Sequence, residues 1–170
     1  GDVIATLGRT AEGIAIAEDG LARAIESAGT DHHHTMTIRR YLAMALAADG
    51  QFDRAVELQG VCLEAYTVNY GPSSRRTAAL LNDRAMVQLR AGNHAEAKGD
   101  VLRALDILSE ANGTDNPGLA GPLLTLVRVR LALGETEEAH ADARRAQEIM
   151  TGVYPDNHPN SIAIQEILGR

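Results

Sequence analysis

The residues best suited to chemistry form a run of three histidines, His32, His33 and His34, beside the carboxylate of Asp31. Imidazole is a common metal ligand. A metal, however, needs ligands that converge on one point, and three adjacent side chains cannot all aim there. Cys62 is the single cysteine, so no internal disulfide can form. No histidine stands near it in sequence as an obvious activating base, and a small buried side chain is the expected role. The carboxylates Glu135, Glu137, Glu138 and Asp142 read as an exposed helix start, where acidic groups suit the helix dipole. The phosphate-binding loops, the GxSxG elbow, HExxH and CxxC are absent. The "NGT" at 112–114 matches a glycosylation signal that a cytoplasmic chain would not use. No convergent titratable cluster remains, so the expectation is no catalytic residue, no metal and no cofactor.

The elements behind these residues follow from composition and period. The 170 residues are 45% hydrophobic and 23% charged but only 3% aromatic. A core of Leu, Ala, Ile and Val favours helices over sheets. The net charge of −7 makes a nucleic-acid backbone a poor partner. No apolar run approaches the length of a membrane span, and no signal peptide is visible, so a cytoplasmic location is expected. The chain begins "GDVIATLG" without a Met, which points to a fragment of a longer protein or to a Met removed by processing.

The sequence repeats every 42 residues. Gly8, Gly50, Gly92 and Gly134 recur at that spacing, in "LGRTAEG", "DGQFDRA", "AGNHAEA" and "LGETEEA". Small residues follow in step, first Gly13, Ala55, Ala97 and Ala139, then Gly20, Cys62, Ala104 and Ala146. Gly29, Gly71 and Gly113 form a third series, with Pro155 at its fourth position. Three interlocking series of one period are the signature of a repeat array. Within each period the apolar residues keep helical spacing; Ala97, Val101, Ala104, Leu105 and Leu108 are one such stripe. Glycines stand where helices should end. The pattern predicts about eight helices, near 10–28, 34–49, 52–69, 75–91, 94–112, 117–133, 136–151 and 159–168, with 3–7 as the tail of one more. The small residues are expected where two helices cross closely. Gly60 and Gly99 fall inside helices, at about 1 kcal/mol each relative to Ala, either for close packing or because they are tolerated.

The order glycine, then Ala five later, then Ala twelve later resembles the tetratricopeptide repeat. The 42-residue period resembles its kinesin-light-chain-type variant, as do "PDNHP" at 155–159 and "LLNDRA" at 80–85. The resemblance covers nearly the whole chain. It implies an all-α, right-handed α-solenoid of antiparallel helix pairs: one array over 1–170, with a truncated repeat at 1–29, repeats at 30–71, 72–113 and 114–155, and a half-repeat at 156–170. It also implies that the first helix of each pair lines a concave groove and that the array binds a protein or peptide without catalysis. By the family's helix geometry, groove positions map to Thr37, Arg40, Tyr41, Met44 and Ala48, then to Ala79, Asn82, Asp83, Met86 and Arg90, then to Leu124, Thr125, Arg128 and Ala132. Arg40, Asn82 and Arg128 would form a polar ladder for an extended segment that is acidic or presents its backbone. Arg84, Gln88 and Arg130 depart from the family pattern, taking apolar or aromatic slots; the stems of the two arginines would pack with the heads in water, or the heads would pair with acids.

Two functions fit: a protein-interaction scaffold, or the peptide- or ligand-sensing regulatory domain of a larger bacterial signalling protein carrying a kinase, NTPase or transcription regulator. Self-association through the two ends in a crystal is a further expectation, as an artefact of the cut, because an array cut mid-repeat exposes apolar surface. In the 42-residue register "GTDHHHT" lies over "GPSSRRT", "GTDNPGL" and "PDNHPNS". His32 thus shares its slot with Ser74, Asn116 and His158, and the histidine run becomes the start of a helix.

Overall fold

The computed structural model describes the backbone of residues 2–169 and the side chains of residues 11–169. The described residues are helical throughout, with turns and no strand. The helices are α1 (Asp2–Ala28), α2 (His33–Ala48), α3 (Phe52–Tyr70), α4 (Arg75–Ala91), α5 (His94–Asn112), α6 (Ala120–Leu133), α7 (Thr136–Met150) and α8 (Pro159–Ile167). A 3-10 turn, Pro117–Leu119, leads into α6; Pro117 opens it, where a missing N–H costs nothing. Two compact units are present, Gly1–Pro72 and Ser73–Arg170. In the first, α2 packs between α1 and α3. In the second, α5 packs on α4 and α6, α7 on α6 and α8, and the first helices α4, α6 and α8 touch in sequence.

One expected boundary changes. α1 runs unbroken from Asp2 to Ala28, so the separate helix over 3–7 and the turn at Gly8 merge into one element. The side chains there lie outside the described residues.

The glycines define two turns that repeat with the period. After each first helix, Gly50, Gly92 and Gly134 adopt φ of 85, 84 and 79°. The residue following each donates its N–H back five positions: Gln51 to Leu46 O, Asn93 to Gln88 O and Glu135 to Arg130 O, at 2.8–2.9 Å. These three copies of the Schellman turn satisfy carbonyls the helix leaves open. After the second helices, Gly71 and Gly113 take φ/ψ of 88/154° and 85/167°, a region that is essentially glycine's alone. At the fourth turn α7 ends early, at Met150, and Gly152 takes the positive φ of 79°. Pro155 cannot adopt it.

The small-residue series fill helix crossings. Ala55, Cys62, Ala97, Ala104, Ala139 and Ala146 are fully buried. Around them lie Met36, Leu42 and Leu46 in the first unit. In the second lie Val101, Leu119, Leu123, Val127 and Ile164. No described helix is long and apolar enough to cross a membrane.

Candidate functional site

The slot that His32 shares with three other residues is the N-cap of α2, α4 and α8 and, at Asn116, of the 3-10 turn that leads into α6. His32 caps α2, its Nδ1 accepting from the His34 N–H at 3.2 Å, and His158 caps α8 by the same bond to Asn160. Ser74 caps α4 through Thr77 N–H at 3.1 Å. Asn116 precedes the 3-10 turn and instead donates through Nδ2 to Gly113 O and Leu108 O. A polar side chain in this slot satisfies a donor that the first turn leaves open. His32, His33 and His34 are exposed. Among the described residues no three His, Cys, Asp or Glu side chains are grouped to hold a metal ion.

Cys62 is buried in α3, its thiol directed at Met36 O at 3.8 Å. Burial pushes its pKa up to about 11, against the opposing pull of Arg39 and Arg40. The thiolate is the reactive species. Native protein at pH 8 is therefore expected to resist alkylation by iodoacetamide and to react once denatured; labelling of the native chain at the denatured rate, followed by mass spectrometry, would refute this.

The buried arginine slots are resolved by ion pairs. Arg84 on α4 donates to both oxygens of Asp100 on α5, each at 2.6 Å, and both side chains are largely shielded. Arg130 on α6 lies 3.2 Å from Asp142 on α7, close enough to pair although the N–H is not aimed along a hydrogen bond. Burial raises the Asp142 pKa above the usual carboxylate value, with Arg130 and then Arg145 opposing. Lys98 holds Glu135 with 2.6 and 2.7 Å contacts. Asp142 and Glu135, expected to be part of an exposed acidic helix start, are thus both engaged; Glu137 and Glu138 are exposed.

The expected groove residues divide. On α2, Tyr41 (66% exposed) and Met44 face solvent, Ala48 is exposed and Thr37 and Arg40 are half-buried. The Thr37 hydroxyl donates to His33 O of its own helix. On α4, Ala79 and Arg90 are exposed and Asn82 and Met86 half-buried. On α6, Arg128 and Ala132 are exposed. Three positions are corrected. Leu124, only 4% exposed, belongs to the core, because α6 is flanked by α4 and α8. Thr125 is buried, donating to Gly121 O, and Asp83 is buried. None of the three can line an open face. Asn82 brings something its residue type alone does not show: its Oδ1 is buried without a hydrogen-bond partner. A buried acceptor left unpaired is costly.

Repeated helix pairs with small-residue crossings, glycine turns and no convergent titratable cluster among the described residues define a helical-repeat protein. The tetratricopeptide repeat family model matches residues 42–99 and 75–152, and the chain belongs to that family. Its form is kinesin-light-chain-like. It is 27% identical to Protein KINESIN LIGHT CHAIN-RELATED 1 of Arabidopsis thaliana, over 96% of this chain and 27% of that protein's length. It superposes on a kinesin light chain of Podosopora anserina with nearly identical TPR-like repeats at a TM-score of 0.78 and 21% identity, covering 96% of this chain and 77% of that one. It superposes on BtubC (BKLC) of P. vanneervenii at a TM-score of 0.76 and 20% identity, covering 99% and 70%. These likenesses show a shared fold, and a tetratricopeptide fold suits protein–protein interaction in general.

Proposed function

We propose that the chain is a non-catalytic scaffold that holds an extended protein or peptide segment on the exposed rows of α4 and α6. Of the three-rung ladder Arg40, Asn82 and Arg128, the two rungs in the second unit belong to helices in direct contact. The observation that carries the reading is the half-buried Asn82 amide, whose Oδ1 has no partner in its inward position; rotation of the amide would present that acceptor to a backbone N–H of the guest. Arg128 offers a charged fork for a carboxylate. Met86 supplies an adaptable apolar contact. The names of two of the relatives point the same way, one being a kinesin light chain and one kinesin light chain-related.

The test is calorimetry on peptides derived from proteins that an unbiased pull-down with the purified chain recovers. Asn82→Ala should weaken a genuine groove ligand about fivefold, the value of one hydrogen bond. Arg128→Ala should weaken an acidic ligand by tenfold or so, as a charge-assisted bond is stronger. Unchanged affinity in both variants rejects the groove.

A further inference from the structure

One solvent-facing row of α3 differs in kind from its counterparts. On α5 the row holds Arg103, Asp106 and Glu110, all exposed. On α7 it holds Arg145, Glu148 and Gly152. On α3 the same register positions hold Val61, Glu64 and Val68. Valines stand where α5 has an arginine and a glutamate. Val61 is 42% exposed and Val68 84%. The row is open on α5 as well, so its exposure belongs to the repeat and not to a missing neighbour.

The pair α6–α7 shows what can lie across this surface. Arg145 donates to Thr114 O in the loop before α6, at 3.1 Å, and the acids of that register are Asp115 and Glu148. The pair α2–α3 keeps the loop, "GTD" at 29–31 matching "GTD" at 113–115, and keeps the second acid as Glu64. It lacks the arginine. Ala65 also stands where α5 and α7 have Ile107 and Ile149. The two trimmed positions leave an open hollow of about 240 Å³ between α3 and the loop before α2. Val61, Ala65 and Val68 line it on one side and Asp31, Glu64 and Asn69 on the other. The Asn69 amide is committed, donating to Asp31 O. Thr30 O, the counterpart of Thr114 O, accepts from Arg39 at 3.3 Å. The Asp31 and Glu64 carboxylates are exposed and pair with no cation among the described residues.

We infer that this hollow receives an arginine side chain of another protein, presented on a helix between two apolar residues. The guanidinium takes the place that Arg145 fills within its own pair, and Asp31 and Glu64 supply the counter-charge. The apolar neighbours account for the valines. Val61, Glu64 and Val68 stand at i, i+3 and i+7 of one helical row, and a guest row of apolar, arginine, apolar residues at that spacing meets them one for one. Lysine suits the place less, since a point charge cannot address two carboxylates as a planar fork does. The net charge of −7 favours a basic guest at longer range. The hollow lies wholly in the first unit and shares no residue with the groove on α4 and α6.

The experiment is fluorescence anisotropy of the full chain with a labelled helical peptide of alanine and glutamine. The peptide carries one central arginine flanked by a leucine one turn away on each side. A second peptide has citrulline for the arginine, which keeps the shape and removes the charge. The arginine peptide should saturate below about 1 mM, and the citrulline peptide should bind at least about fivefold more weakly. Glu64→Gln and Asp31→Asn should each weaken the arginine peptide about threefold, as befits exposed ion pairs. Val61→Arg should fill the hollow from within and abolish binding, with unchanged circular dichroism. Asn82→Ala and Arg128→Ala should leave binding as it is; a loss there instead would put the peptide on α4 and α6 and overturn the inference. So would no saturation by about 1 mM, equal binding of the citrulline peptide, or a Val61→Arg variant that still binds. Self-association of the chain that Val61→Arg abolishes would give the hollow to a second copy and overturn it equally.

Discussion

Arg84→Leu alone should destabilise the second unit by about 3 kcal/mol, because it strands the Asp100 carboxylate in a largely buried site. Adding Asp100→Leu should return most of that loss and leave the double variant within about 1 kcal/mol of the parent, or above it, since replacing a shielded ion pair by packed apolar groups is often neutral or stabilising. The chain already contains the product of this exchange. One period earlier, the positions of Arg84 and Asp100 hold Leu42 and Leu58, and Leu42 is buried. Urea unfolding of the two single variants and the double variant gives the coupling directly. Additive losses would show that the bidentate contacts at 2.6 Å are not an energetic unit.

The second large effect separates two kinds of glycine. Gly113→Ala should cost about 2 kcal/mol, as no other residue sits comfortably at its φ of 85° and ψ of 167°. Gly99→Ala should do the reverse and stabilise by up to about 1 kcal/mol, since Gly99 lies within α5 and alanine is the better helix former. Neither site meets any atom within 4 Å of an added Cβ, so the contrast measures backbone conformation alone. Thermal unfolding of both variants checks it, and shifts of the same sign would contradict the assignment.

The same contrast marks what the sequence made legible. Period, helix positions and turn glycines were readable because each recurs in step, and a residue in a turn of unusual φ has few substitutes. The N-cap slot was readable because His32, Ser74, Asn116 and His158 align. Other features follow from what surrounds a helix, which periodicity does not encode. Leu124 shares its register position with Arg40 and Asn82 and was expected beside them in the groove, but α6 has a first helix on each side and Leu124 is swallowed. The partners of Arg84 and Arg130 were open between water and acid. The signal was present in Asp100 and Asp142, one period apart on the second helices, but it needed the helix crossing to connect it. Gly60 and Gly99 looked able to serve close packing; the space around them is empty.

The ion pairs also differ in what they join. Arg84–Asp100 and Arg130–Asp142 each lie inside one helix pair, whereas Lys98–Glu135 crosses from α5 to the residue that opens α7 in the next pair. In a repeat array, free energy divides into a part intrinsic to each pair and a part that couples neighbours, and the coupling sets how far unfolding of one pair drags in the next. The first two ion pairs belong to the intrinsic part. Lys98–Glu135 belongs to the cooperativity. Its loss would act less on how stable the second unit is than on whether α4–α5 and α6–α7 melt as one body or one after the other.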